Sequence, residues 1–155
     1  MTTEPKVSII IPCYNRGKYI GETLECVQRI HYDNFECIVV DNNSTDNSVA
    51  EIQKFIQNND RFRLIRDDGN NISSARNKAI AVSSGEYILP LDSDDLIHPD
   101  YVREAVEILQ NNPQIAVVTC DALLFGSKRG KWKLPEYNFN DFLIKVSIHN
   151  TSMFR

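Results

Sequence analysis

The stretch GEYILPLDSDD, residues 85–95, sets the terms on which the other segments of the chain are read. An apolar run from Tyr87 to Leu91 gives way within four positions to three carboxylates, Asp92, Asp94 and Asp95, with Ser93 between the first two. An unpaired carboxylate is too costly to leave in a protein interior. A buried strand here therefore delivers these groups to a surface, at the mouth of a cleft. Alternate side chains of an extended backbone share a face, so on that geometry Asp92 and Asp94 point together and Asp95 does not. Two convergent carboxylates hold a hard divalent cation whose shell is completed by water or phosphate oxygens. The same residues also suit a solvated acidic loop leading into the next helix, because acids favour helix N-termini. Residues elsewhere must decide between the two.

Upstream of this stretch, Ser73 or Ser74 caps a helix that runs through Ser83, with Ala75, Ala79, Ile80 and Val82 as its contacts and Gly85 as its stop. Further back, KVSIIIPC (residues 6–13) and FECIVV (residues 35–40) are continuous apolar, β-branched runs of the kind buried on both faces of a sheet. Pro12 is expected to end the first, since proline cannot donate to a central ladder. A helix over residues 19–30 carries Ile20, Leu24 and Val27 at helical spacing. A second follows the capping candidates Ser44, Thr45 and Asp46, with Val49, Ile52, Phe55 and Ile56 as its stripe. RFRLIR (residues 61–66) reads as a short third strand. Downstream, His98-Pro99 opens a helix, residues 115–120 form a fifth strand, residues 123–133 an extended segment containing a turn, and residues 139–146 a short helix. The last nine residues carry no pattern.

Alternating strands and helices imply right-handed βαβ units and a mainly parallel sheet with helices on both faces. Such sheets bind ligands beyond the carboxyl ends of their strands. Pro12 to Asn15, Asp41 to Ser44 and Asp92 to Asp95 follow three of those strands, so all three polar clusters are expected on one edge. That convergence favours a site over a solvated loop.

Composition narrows the class. With 155 residues, 42% hydrophobic and 25% charged, the chain reads as one globular domain able to bury a core. A formal charge of −4 offers no electrostatic footprint for nucleic acid or an anionic membrane. No apolar run is long enough to span a bilayer, and MTTEPK lacks the form of a secretory signal. Four scattered cysteines, with no CxxC pair, suggest buried free thiols. The expected location is cytoplasmic, with membrane association only through parts outside this chain.

VSIIIPCYN (residues 7–15), IVVDNNSTDNS (residues 38–48), SSARNKAI (residues 73–80) and GEYILPLDSDD, in this order and spacing, resemble the motifs of the family 2 glycosyltransferases. The resemblance implies the glycosyltransferase-A (GT-A) fold, a Rossmann-like sheet flanked by helices on both faces. It implies inverting transfer of a sugar from a nucleotide-diphosphate donor (UDP-, dTDP- or GDP-linked) to a hydroxyl of a saccharide or lipid-linked acceptor, in cell-surface polysaccharide or glycoconjugate synthesis, assisted by Mn2+ or Mg2+. Carried over residue by residue, Pro12 and Tyr14 line the nucleotide pocket, Asp41 and Asn42 lie at the base, and Arg76 sits on the donor side. Asp92 and Ser93 lie near the ribose, and Asp94, with Asp92, holds the metal. Asn42 and Asn43 stand where the family often has an acid and a glycine. The family's general base lies in a later motif, so it is expected beyond Arg155, with residues 1–155 forming a single domain truncated at its C-terminus.

Two other classes stay open: a donor-binding module without activity, and a haloacid-dehalogenase-like phosphatase with Asp92 as nucleophile. The second fits poorly. That family uses its first strand and wants Thr or Val where this chain has Leu96. An EF-hand is excluded by Ile97 at the loop position that requires glycine.

Overall fold

The computed structural model describes residues 4–57, 59–69, 71–132, 134–138 and 148–155. Two runs of mostly β-branched residues form the centre of its main sheet: β1 (Val7–Cys13) and β2 (Phe35–Asp41), each buried along its whole length. Parallel to them lie β3 (Phe62–Arg66), beyond β2, and β4 (Tyr87–Pro90), on the other side of β1. The chain thus leaves β1 in one direction, through β2 and β3, and then crosses to the opposite side for β4. The reversal makes the β1–β4 gap the switch point, where sheets of this kind leave a crevice.

The strand alternation divides the core between two faces. On one, Val7, Ile9, Ile11 and Cys13 pack with α1 (Ile20–Gln28), α2 (Ser48–Ile56) and α4 (Tyr101–Asn111) through Leu24, Ile52 and Val102. On the other, Ile10, Ile38, Val40 and Ile88 pack against Ala75 and Ala79 of α3 (Ile72–Val82). Small residues let that single helix lie close to the sheet. Each fully buried isoleucine contributes roughly 2–3 kcal/mol. The sheet therefore rests on its central strands, and its carboxyl edge is left to the loops.

Pro12 does not end β1, which continues through Cys13 and stays paired to β2 up to Cys13↔Asp41. Cys13 accepts from the Asn42 amide at 2.8 Å on the β2 side, while Ile10 accepts from the Leu91 amide at 2.9 Å on the β4 side. By alternation Pro12 also faces β4, where pairing stops at Ile10↔Pro90. The missing N–H thus ends the β1–β4 ladder rather than the strand. It allows the two strands to part, and the cleft opens there.

Other boundaries differ from the sequence expectation for local reasons. Asn71, not Ser73 or Ser74, caps α3, its side chain accepting from the Ser74 amide at 2.7 Å. α4 begins at Tyr101, after Asp100, rather than at His98-Pro99. Gly85 lies beyond the end of α3 and is needed for another reason: a Cβ there would stand 2.5 Å from the Ser8 backbone nitrogen. The fifth strand shrinks to β5 (Val117–Val118). Within the extended segment expected over 123–133, the described residues form most of a hairpin, β6 (Ala122–Leu124) paired with β7 (Gly130–Trp132). The patternless C-terminus forms β8 (Met153–Phe154), inserted antiparallel between β4 and β5. The helix expected over 139–146 falls outside the described residues. All four cysteines are free, with Cys13 and Cys37 buried, Cys26 half-buried and Cys120 exposed. Among the described residues no helix is long and apolar enough to cross a membrane.

Candidate functional site

The cleft at the β1–β4 switch point has a volume of about 300 Å3 and draws its walls from three strand ends and the start of α3. β1 and the turn after it supply Pro12, Cys13, Tyr14 and Arg16, and the loop after β2 supplies Asn42. α3 brings Asn71 and Ile72, and the segment after β4 brings Asp92, Ser93 and Asp94. Six of the residues singled out in the sequence therefore meet in one place: Pro12, Tyr14, Asn42, Asp92, Ser93 and Asp94.

Asp92 and Asp94 reach the cleft by a different route from the extended geometry expected. The chain turns immediately after β4, with the Asp95 amide donating to the Asp92 carbonyl at 3.1 Å. Ser93 is buried inside that turn. Asp95 caps none of the described helices; its carbonyl instead accepts from the Thr23 hydroxyl at 3.1 Å, tying the turn to α1.

Each of the two cleft carboxylates has an arginine partner. Arg76 Nη2 donates to Asp92 Oδ1 at 2.6 Å, a short contact between two largely covered side chains. Arg76 thus joins the site through Asp92, and its buried Nε finds no hydrogen-bond partner among the described residues. Arg16 Nε donates to Asp94 Oδ2 at 3.1 Å, with both side chains more than two-fifths exposed. Asp95, open to solvent on one side, feels the crowding. Desolvation and then the charges of Asp92 and Asp94 push its carboxyl pKa up, while His149 pulls it down.

The opposite wall is held rigidly. Asn15 and Asn43 adopt left-handed backbone conformations, with φ of 50° and 63°, which asparagine tolerates better than most residues. The Asn15 amide donates to Ser44 Oγ at 3.0 Å, and the Thr45 amide donates to Asn15 Oδ1 at 2.8 Å. The Arg16 amide reaches Ser48 Oγ at 2.8 Å, and the Gly17 amide reaches Asp46 Oδ2 at 3.0 Å. A Cβ on Gly17 would stand 2.9 Å from the Ser48 backbone nitrogen and would displace the Asn47 side chain, so glycine lets the two loops approach this closely. Asp46 also accepts from the Ser48 amide at 2.9 Å, which secures the start of α2.

Tyr14 presents its ring to solvent at the rim, 54% exposed. Asn42 is 7% exposed, and its Oδ1 finds no partner among the described residues. Asp41 is buried at the end of β2, accepts from the Ser44 amide at 3.3 Å, and is not among the residues lining the cleft. Burial pushes the Cys13 thiol up to about 11, so that wall carries no reactive thiolate near neutral pH. Among the described residues no group of three His, Cys, Asp or Glu side chains is placed to hold a metal by itself.

Sequence reasoning missed Arg16, Asn71 and Ile72 in the walls. Arg16 and Asp94 are 78 positions apart, and only the β1–β4 adjacency brings them together. Ile72 stands out only in the structure, as an apolar residue left half exposed at a helix start. A second cavity of about 450 Å3 lies off the hairpin, lined by residues that include Asp121, Lys131, Tyr137 and His149. The rings of Trp132 and His149 meet edge to face there at 4.7 Å.

Comparison with known proteins gives a consistent picture. A family model described as Glycosyl transferase family 2 matches residues 8–155. Over 113 residues the chain is 33% identical to glycosyltransferase GlyG of Streptococcus pneumoniae serotype 4, a match covering 72% of this chain and 38% of that protein. It is 35% identical over 114 residues to a chondroitin synthase of Escherichia coli, covering 74% of this chain and 17% of that one. Among solved structures, S. aureus TarS 1-349 in complex with UDP-GlcNAc matches at a TM-score of 0.79 and 25% identity, over 97% of this chain and 45% of the other. The mannosyltransferase PcManGT from Pyrobaculum calidifontis, in complex with GDP-Man and Mn2+, matches at 0.71 and 27% identity, over 77% and 36%. The chain spans less than half the length of each of these relatives.

Proposed function

This chain belongs to glycosyl transferase family 2 and has its GT-A fold, and from that premise we propose that the β1–β4 cleft binds a nucleotide-diphosphate sugar for inverting transfer to an acceptor hydroxyl. The observation that carries this reading is the pair of carboxylates, Asp92 and Asp94, facing Pro12, Tyr14 and Asn42 across a cleft at the switch point of the sheet. In this reading the exposed Tyr14 ring stacks on the base. Asn42 supplies a hydrogen-bond acceptor to it, and Asp41 holds the same loop from beneath through the Ser44 amide. Asp92, oriented by Arg76, and Ser93 hold the ribose side of the donor.

Asp94 and Asp92 fit Mn2+ or Mg2+ as hard oxygen donors on an open wall. Such ions take one or two carboxylates and fill the rest of their shell with water and substrate phosphates. When bound there, the cation neutralises the charge that develops on the leaving nucleoside diphosphate. The relatives support a nucleotide-sugar ligand, since solved neighbours hold GDP-Man with Mn2+ and UDP-GlcNAc. Removal of the acceptor proton is assigned to none of these residues. The natural setting for such a donor is the cytoplasm or the cytoplasmic face of a membrane, in polysaccharide or glycoconjugate synthesis.

Calorimetric titration with UDP and with GDP, each with and without Mn2+, tests the proposal. One of the two is expected to bind at least tenfold more tightly with the metal present. Equal affinity with and without metal, or no binding of either nucleotide, would contradict it.

A further inference from the structure

The two arginine–aspartate pairs at the cleft are not equivalent. Arg76–Asp92 is short, at 2.6 Å, with about a quarter of each side chain exposed. Arg16–Asp94 is a single contact through Nε at 3.1 Å, with the two side chains 43% and 44% exposed. An exposed one-point ion pair is weak and easily displaced, whereas a shielded charge-assisted contact is not. Asp94 is therefore the carboxylate whose partner can leave.

The departing guanidinium has little freedom to withdraw. Its backbone is fixed by the Arg16 and Gly17 amides on Ser48 and Asp46, and by the Asn15 bonds to Ser44 and Thr45. Its Nη1 also donates to the Asn15 carbonyl at 3.2 Å. A cationic side chain is thus held in the cleft wall, beside the position where the reading above places a diphosphate.

We propose that Arg16 is the resident counter-ion of Asp94, exchanges with the divalent cation when the cation binds, and then pairs with the diphosphate of the donor. This rests on the donor-site reading of the cleft. It makes Arg16 a competitor of the metal when the metal is alone and an ally of the nucleotide once the metal is in place.

The test is calorimetric, on wild type and Arg16→Gln, first with Mn2+ alone and then with UDP and GDP at saturating Mn2+. Arg16→Gln is expected to bind Mn2+ between about twofold and fivefold more tightly, the range in which an exposed ion pair competes. It is expected to bind the nucleotide about tenfold more weakly, as for loss of a charge-assisted contact. Arg16→Lys, which keeps a point charge, should restore part of both differences. Unchanged or weaker Mn2+ binding, or undiminished nucleotide binding, in Arg16→Gln while wild type binds both would overturn the exchange but leave the donor site standing. A wild-type chain that binds neither Mn2+ nor nucleotide would remove the donor-site reading and the exchange together.

Discussion

Asp94→Asn is expected to remove the metal-dependent part of nucleotide binding, lowering affinity for UDP or GDP in Mn2+ on the order of 100-fold, about 2.7 kcal/mol. The substitution keeps the shape of the side chain and takes away its charge, and hard divalent cations bind neutral amide oxygens less well than carboxylates. The side chain is 44% exposed and its one ion pair is with a similarly exposed arginine, so the fold should be untouched. Calorimetry alongside a thermal melt checks both halves. Affinity that stays within a few-fold of wild type in Mn2+, with an unchanged melting temperature, would mean that Asp94 is not the metal ligand.

The largest stability effect is expected at the other edge of the sheet, at Glu36. Its carboxylate lies in β2, almost covered, and Oε1 accepts from the Ser8 hydroxyl at 2.7 Å, the Ser84 amide at 2.7 Å and the Ser84 hydroxyl at 2.8 Å. Arg63 on β3 pairs with Oε2 at 3.1 Å. Ser8 in turn accepts from the Gly85 amide at 2.9 Å. One side chain thus joins β1, β2, β3 and the loop that leads into β4, the strand that carries Asp92 and Asp94 to the cleft. Glu36→Ala leaves these donors without their acceptor and should cost on the order of 3 kcal/mol, read as a shift in the urea midpoint with an unchanged slope.

The same carboxylate gives stability a pH dependence with a definite sign. Burial raises its pKa, but the hydrogen bonds from Ser84 and Ser8, with the charge of Lys6, outweigh that and hold it below the ordinary glutamate range. A depressed folded pKa means that the contribution is complete above the unfolded value of about 4.3 and is lost as pH falls through the lower folded one. The stability difference between wild type and Glu36→Gln should therefore be full at neutral pH and shrink on acidification. A difference that is independent of pH would show that the ionised form is not what stabilises the network.

The parts of the fold that were legible in the sequence are those set by local pattern. The runs at residues 6–13 and 35–40 could only be strands buried on both faces, and the apolar stripes of α1, α2 and α4 repeat at helical spacing. β8 was illegible because two residues have no period, whereas β5 was legible as a strand over 115–120 but not in its short extent. β8 exists through pairing with Ile88 and Val117, far away in sequence, and the Arg155 guanidinium beside it reaches the carbonyls of Leu109 and Ile115. Pro12 shows how one chemical fact supports two outcomes. Its missing N–H ends a ladder, but which ladder depends on the neighbour that side of the strand faces. At the site, Asp92 and Asp94 were visible because charge interrupts an apolar run, and the motif resemblance pointed to Tyr14, Asn42 and Arg76. Arg16 and the Glu36 network were not visible, since both depend on which strands lie side by side.

The position of the donor site is tested most directly by paramagnetic broadening of backbone amide signals, with Mn2+ added at low stoichiometry in the presence of UDP or GDP. The signals of Arg16, Gly17, Asn42, Ser93, Asp94 and Asp95, around the β1–β4 cleft, are predicted to broaden first. Broadening centred instead on Asp121, Lys131 and His149, with the cleft signals left sharp, would contradict the assignment of the cleft as the metal and nucleotide site.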